Sequence, residues 1–540
     1  MSKSIADYMD ELKAEDVVCR ICAYKKLEQI GIALGPNRAS KELLPFLEDA
    51  AWDEEDEVRV VLAEELKPSF ALLCAANARK SMFKMLEKLA GAEEALIRNA
   101  AIENLKLFIR EDEGAEEIGV FVDMFKRLGA DYWYTRKVAA ASILPDILQR
   151  MRTGGEELIG MVANYLEDES PMVRRGAIPC LSQLAGVMSK ELLEKCLKLA
   201  SEDAQDSVRL LTMELAVAAS AHVDVGSLIS QLLKDQSWRV RFMVAQQLPK
   251  LQTQSNDNAN GTLEAYEGFL LLLEDGEQEV RAAAAENLAE MGKLLGYTPT
   301  LVQAVQRACH DPSMHVRAAI ATQLNALSSL AGPQATRTDI MPLLEELMRD
   351  EASQVRLNVV SRLDTLNQVI GVGELSGSLL PAIKALAGDR QWRVRQAILG
   401  YFPVLARHLG PSAELTQLAT SWLMDSVHSV RRSAAKCLFE LSGAFGREWT
   451  CSLLKTELSG LLLTGKPSYL KRQAIVLVLT LIDPRGEVMG ELWEVVKRDP
   501  IGNVRMLVPA EMALEDAEEE DADVLYVRAN PPILAAESTA

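Results

Sequence analysis

Apolar residues recur along this chain at the spacing of one helix face. Most recurrences are introduced by the same short phrase: an Asp, five residues, an Arg. The phrase is clearest at Asp350 to Arg356, with Val355, Val359 and Leu363 at steps of four, and at Asp389 to Arg395, with Val394, Ile398 and Phe402. Apolar residues at −1, +3 and +7 from each Arg fall on one side of a helix. Val58, Leu62 and Leu66 show this, as do Val240, Val244 and Leu248, and Val316, Ile320 and Leu324. A second apolar stretch, such as Leu343 to Met348 or Phe269 to Leu273, precedes each Asp, so the pattern predicts helix, short turn, helix. Pro45, Pro342 and Pro381 fall inside these first helices and are expected to kink them without ending them.

The Arg positions are 20, 59, 98, 136, 174, 209, 241, 281, 317, 356, 395, 431, 472 and 505, spaced 32 to 41 residues apart. Ten of the fourteen carry the Asp six residues earlier; Ala14, Ala92, Ala130 and Lys466 stand in its place at the others. One unit cannot fold alone. Three buried apolar side chains contribute roughly 5–9 kcal/mol, against a cost of about 20 kcal/mol for ordering the residues of that helix. Neighbouring units must cover the remaining faces. The expectation is therefore an all-α array, an α-solenoid of about fourteen repeats over residues 1–514. Two stretches break the rhythm. Residues 251–262 are polar and turn-rich and are expected to form a loop, while 515–540, acidic and then Pro-bearing, is expected to be a disordered tail. Pro509 lies inside the last stripe, so the fourteenth repeat should be distorted.

Composition narrows the function. The net charge is −20 over 540 residues, which argues against nucleic acid as a partner, since phosphate is held by Lys and Arg. Eight thinly scattered Cys suggest free thiols in a reducing compartment. The first twelve residues lack the form of a signal peptide, and the longest apolar run, about Ala474 to Ile482, is too short to span a bilayer. No membrane is expected; the cytosol is the expected compartment, with the nucleus as a second one. Candidate chemistry is weak. Cys19 and Cys22 lack further zinc ligands, Cys309 and His310 have no companion pair, and Gly460 to Lys466 resembles a phosphate loop but is followed by Pro467 where Ser or Thr should hold magnesium. No catalytic constellation, metal site or cofactor site emerges, and a non-enzyme is expected.

Comparing the copies separates scaffold from surface. The position three before the Arg holds Val17, Asp56, Ala95, Trp133, Pro171, Asp206, Trp238, Gln278, Met314, Ser353, Trp392, His428, Tyr469 and Gly502. No core position would accept that mixture, so the site is expected on the surface where the turn enters the second helix. Trp238 and Trp392 sit in a shared context, Trp-Arg-Val-Arg, and an exposed Trp beside an Arg is the composition of a binding hot spot. Trp422, Trp449 and Trp493 are expected to pack.

The repeat, with Asp in its turn and Val-Arg opening its second helix, resembles the HEAT repeat, and that resemblance implies an Asp–Arg ladder between neighbouring copies. Longer strings carry a narrower resemblance. Asp10 to Leu12, Leu43 to Leu47, Ser170 to Arg175, Asp206 to Leu211, Ser237 to Arg241, Val355 to Asn358, Leu379 to Ile383 and Trp392 to Arg395 are similar to the scaffold (A) subunits of protein phosphatase 2A, over roughly residues 5–514. The resemblance implies a non-catalytic member of a hetero-oligomer. It would hold a phosphatase catalytic subunit on about residues 380–514 and interchangeable regulatory (B-type) subunits on about 1–325. It assigns Glu93, Glu94, Trp133, Pro171, Arg174, Arg175, Trp238 and Arg239 to the regulatory side and Trp392, Arg393, His428 and Tyr469 to the catalytic side. His428 stands where the family has Tyr. The family has fifteen repeats, and the acidic tail falls where the fifteenth would be, which implies weaker catalytic-subunit binding or a divergent partner. A different reading, a HEAT-repeat transport receptor or chaperone for basic cargo, is compatible with the net charge.

Overall fold

The computed structural model describes residues 5–67, 78–111, 117–151, 154–251, 267–410, 413–464 and 467–509. Most of the expected loop at 251–262 and the whole of the expected tail lie outside these. Among the described residues the chain is helical throughout, with no strand. It forms two compact units, Met1–Leu272 and Leu273–Ala540.

Within each unit the packing rule is the same. In the first, the helix Tyr134–Arg150 lies against the helix before it, Glu117–Gly129, and against the second helix of the next repeat, Pro171–Leu184. In the second, Trp392–Leu409 lies against His428–Phe445, which lies against Tyr469–Ile482. The apolar stripe explains this. The residues at −1 (Val58, Ile97, Val173, Val240, Val316, Val355, Val394, Val430) and +3 (Leu62, Ala101, Ala177, Val244, Ile320, Val359, Ile398, Ala434) are all at most 1% exposed. Ala and branched aliphatic residues at +3 interlock with the adjacent helix, and Leu at +7 in most copies fills the space that remains.

The ladder implied by the repeat is present and has a definite geometry. Each participating Arg donates forward to the Asp of the next repeat through two parallel bonds. The pairs are Arg174–Asp203 and Arg209–Asp235 in the first unit, and Arg281–Asp311, Arg317–Asp350, Arg356–Asp389, Arg395–Asp425 and Arg472–Asp499 in the second. The Nε–Oδ2 distances are 2.5–2.8 Å and the Nη2–Oδ1 distances 2.8–3.1 Å. The third guanidinium nitrogen donates back to the carbonyl of its own repeat's Asp, as Arg356 Nη1 does to Asp350 at 2.6 Å. The Asp in turn accepts the backbone N–H two residues on, Asp389 from Gln391 at 2.8 Å. One Arg thus ties its own turn to the next.

The rungs change where the sequence lacks the Asp. Arg59 turns to Asp56 of its own helix because Ala92 offers no carboxylate. Among the described residues, Arg98 reaches only the carbonyls of Ala92 and Glu93. One rung changes although its Asp is present: Lys137, rather than Arg136, takes Asp168, at 2.6 Å, and Arg136 pairs with Asp131 at 3.3 Å.

Two of the internal prolines follow a wider turn. Five-residue π turns, Ala39–Leu43 and Thr336–Ile340, run into Pro45 and Pro342. A proline cannot donate to the carbonyl one turn back, and the wider turn absorbs the missing bond. Pro381 lies within the continuous helix Val372–Leu386. Near the C-terminal end the fourteenth second helix is only Gly502–Arg505, consistent with Pro509 in its stripe.

Candidate partner-binding ridge

The position three before the Arg is the first residue of the second helix in thirteen repeats, among them Pro171, Trp238, Trp392, His428 and Tyr469, and the N-cap in the remaining one, Trp133. None of the fourteen is buried. The reason is local. The Asp-capped turn closes immediately before this residue, so its side chain starts above the ladder, while the residue two further on, Val at most copies, points into the core.

In the first unit, Glu93 and Glu94 are exposed in the turn before Ala95–Glu111. Trp133, 38% exposed, stands between Tyr132 and Tyr134 with ring centroids 6.2 and 5.8 Å away. Tyr132 is 89% exposed. Its only sequence signal was the run of three aromatics, and the phrase-by-phrase comparison passed over it. Pro171 and Arg175 are exposed at the next repeat. Arg174 is not available in the same way: its guanidinium is committed to Asp203 at 2.6 and 3.0 Å, so it positions the turn rather than facing a partner. Trp238, also 38% exposed, meets Phe242 edge-on, and Arg239 lies 5.8 Å from its ring and 3.7 Å from Asp206.

In the second unit, Arg393 stacks over Trp392 at 4.7 Å, an amphipathic platform that offers a flat apolar face and a fixed charge together. His428 and Tyr469 are exposed at the two following repeats. Trp422 and Trp493 pack as expected, at 3% and 0% exposure, with their indole N–H groups on the carbonyls of Ala387 and Asp483. The side chain of Trp449 lies outside the described residues.

Below His428 the same helix carries Ser429, Arg432, Ser433 and Lys436, which with Gln396 line an open cleft of about 310 Å³. Sequence comparison by single positions missed this cluster. The available signal was charge: residues 389–436 hold seven Lys and Arg against three Asp and Glu, in a chain of net charge −20.

The candidate chemical groups read from the sequence can be placed individually. No cluster of three His, Cys, Asp or Glu that could hold a metal occurs among the described residues. Burial pushes the Cys180 and Cys309 thiols up to about 12 and Cys196 up to about 11, far from the thiolate that reaction needs. Cys19 and Cys22 lie on the helix Val17–Tyr24. Gly460–Thr464 is a π turn ending a helix, not the loop after a strand that phosphate binding requires; Gly465 and Lys466 lie outside the described residues. No described helix is long and apolar enough to cross a membrane.

Residues 266–364 match the family model described as HEAT repeats, and 155–178 match a HEAT repeat associated with sister chromatid cohesion. The chain is 32% identical over 276 residues to the A-type regulatory subunit of protein phosphatase PP2A from Saccharomyces cerevisiae, covering 47% of this chain and 44% of that one. It is 36% identical over 225 residues to a probable PP2A regulatory subunit of Caenorhabditis elegans, covering 41% and 38%. It is 35% identical over 374 residues to the human 65 kDa A-type regulatory subunit of phosphatase 2A, beta isoform, covering 64% and 61%. The chain thus spans less than half the length of the yeast and nematode relatives. Among solved structures, importin beta superposes with a TM-score of 0.60 at 13% identity, covering 97% of this chain and 72% of that one. The karyopherin Kap121p gives 0.59 at 13%, covering 93% and 56%. At these identities the likeness is one of fold alone.

Proposed function

We propose, from the premise that this is a HEAT-repeat chain related to the A-type regulatory subunits of protein phosphatase 2A, that it is a non-catalytic scaffold for a serine/threonine phosphatase. The observation that carries the proposal is the 35% identity over 374 residues to the human beta isoform. The first residues of the second helices, none of them buried, supply what such a scaffold needs. A catalytic subunit would seat on about residues 380–514, against the Trp392–Arg393 platform, His428 and Tyr469. A B-type regulatory subunit would seat on about 1–325, against Glu93, Glu94, Trp133, Pro171, Arg175, Trp238 and Arg239.

The mechanism is positional. A scaffold that holds two partners converts their encounter into an intramolecular one, at an effective concentration of roughly millimolar. His428 in place of the family's Tyr gives up part of an aromatic contact at the catalytic seat. The free, buried thiols suit a reducing compartment, and we place the assembly in the cytoplasm or the nucleus.

The test is affinity purification of the tagged full chain followed by mass spectrometry, beside W392A/R393A. Recovery of a phosphatase catalytic subunit with the wild type, and its loss with the variant, is the expected result. A wild-type pull-down without any phosphatase, in which basic proteins are held in a salt-sensitive way, would overturn it in favour of a cargo receptor.

A further inference from the structure

The cleft beneath His428 has a composition that the solenoid does not require. His428, Ser429, Arg432, Ser433 and Lys436 sit at i, i+1, i+4, i+5 and i+8 of one helix, hence on one face. Gln396 completes the lining from the preceding repeat. The two cations have no counterpart in the neighbouring copies. The positions of Arg432 and Lys436 are held by Gln396 and Gly400 in the repeat before and by Gln473 and Leu477 in the repeat after. Architecture repeats along the array, and this pair does not.

The cleft also lacks negative charge. No carboxylate lines it, and neither Arg432 nor Lys436 makes an ion pair with a described residue. The rung beneath it is incomplete. Arg431, 3% exposed, donates to the carbonyls of Asp425 and Ser426, but the next phrase carries Lys466 where the Asp belongs, and the Arg431 Nε has no partner among the described residues.

The donors are arranged for an anion. Gln396 donates to the Ser433 hydroxyl oxygen at 3.2 Å, which leaves the Ser433 proton free to point into the cleft. Ser429 and His428 lie in the first turn of an 18-residue helix, at its positive end. The guanidinium fork, the ammonium, two hydroxyls and an amide exceed what the two oxygens of a carboxylate can accept. They suit three terminal oxygens bearing two charges.

We propose that this cleft seats the phosphate of a phosphoserine or phosphothreonine side chain on a peptide. A nucleotide is disfavoured because no Phe, Tyr or Trp lines the cleft to stack a base; its one aromatic ring is the small His428 imidazole. That such a segment would then lie beside a phosphatase rests on the preceding reading; the seat itself does not.

The experiment uses the full chain and a short, otherwise neutral, fluorescein-labelled peptide with one phosphoserine, read by fluorescence anisotropy. Binding should be at least about tenfold weaker for the unphosphorylated peptide and for its Ser→Glu form, and inorganic phosphate should compete. R432Q/K436Q should weaken phosphopeptide binding by about tenfold or more, while R390Q, an exposed cation outside the cleft, should not change it. Equal binding of the Glu peptide, or phosphopeptide binding indifferent to R432Q/K436Q in a protein of unchanged circular dichroism, overturns the proposal. The two readings separate cleanly. W392A/R393A should lose the phosphatase and keep the phosphopeptide, and R432Q/K436Q should do the reverse.

Discussion

Asp389 shows how much one residue of the repeat does. It accepts two bonds from Arg356 of the preceding repeat, one backbone N–H from its own turn, and it lends its carbonyl to Arg395. Replacing it by Ala leaves the Arg356 guanidinium, whose side chain is only 13% exposed, without its counter-ion. The expected loss is about 3 kcal/mol, read as faster amide hydrogen exchange in Ser353–Val360 and Trp392–Leu409 than in distant helices. Burial alone would raise the ladder carboxyls. The hydrogen bonds from Arg or Lys and from the turn N–H outweigh it, and Asp168, Asp235, Asp350, Asp389 and Asp425 are all held below the ordinary range. A folded value below the unfolded one means that stability is fully present above the unfolded value, about 3.9, and is lost as pH falls through the folded values. Melting followed by circular dichroism should therefore change little through this group between pH 8 and 5 and fall steeply below about pH 4, less steeply for D389N.

At the scale of the element, the periodicity predicts two helices per repeat but not where a second helix breaks. Tyr134–Arg150 and His428–Phe445 run unbroken, whereas the stripe after Arg281 divides into Gln278–Glu286 and Leu288–Leu295. There Asn287 turns its side-chain amide onto the Ala283 carbonyl at 3.0 Å, competing with the helix for that acceptor. An apolar count does not register this. The junctions between repeats are more legible. Gly332, at φ 75° and ψ 172°, redirects the chain from one helix into Pro333 and the π turn beyond. A Cβ added there meets nothing within 4 Å, so G332A should cost only backbone strain, about 2 kcal/mol. The loss should appear as a lower thermal midpoint, with partner recovery in pull-downs unchanged.

For the whole molecule, stability is carried by contacts between neighbours, so a cut between the two compact units should be tolerated. Expressed separately, residues 1–272 and 273–540 should each retain helical circular dichroism. Under the scaffold reading only the second should recover a phosphatase catalytic subunit. A fragment 273–540 that is folded but recovers none, while the full chain does, would place that seat elsewhere. The sequence by itself determined the repeat, its all-helical class and the exposed variable position, because periodic burial and a recurrent Asp–Arg phrase are local properties written once per copy. It could not separate the two arginines of Arg174-Arg175, one locked in the ladder and one exposed. It also could not assemble the cleft beneath His428. Those depend on which side chains from adjacent copies meet across a helix pair, and only tertiary packing decides that. The opposite fates of Arg431, buried on its own carbonyls, and Arg432, turned into the cleft, come from one residue's rotation around the same helix.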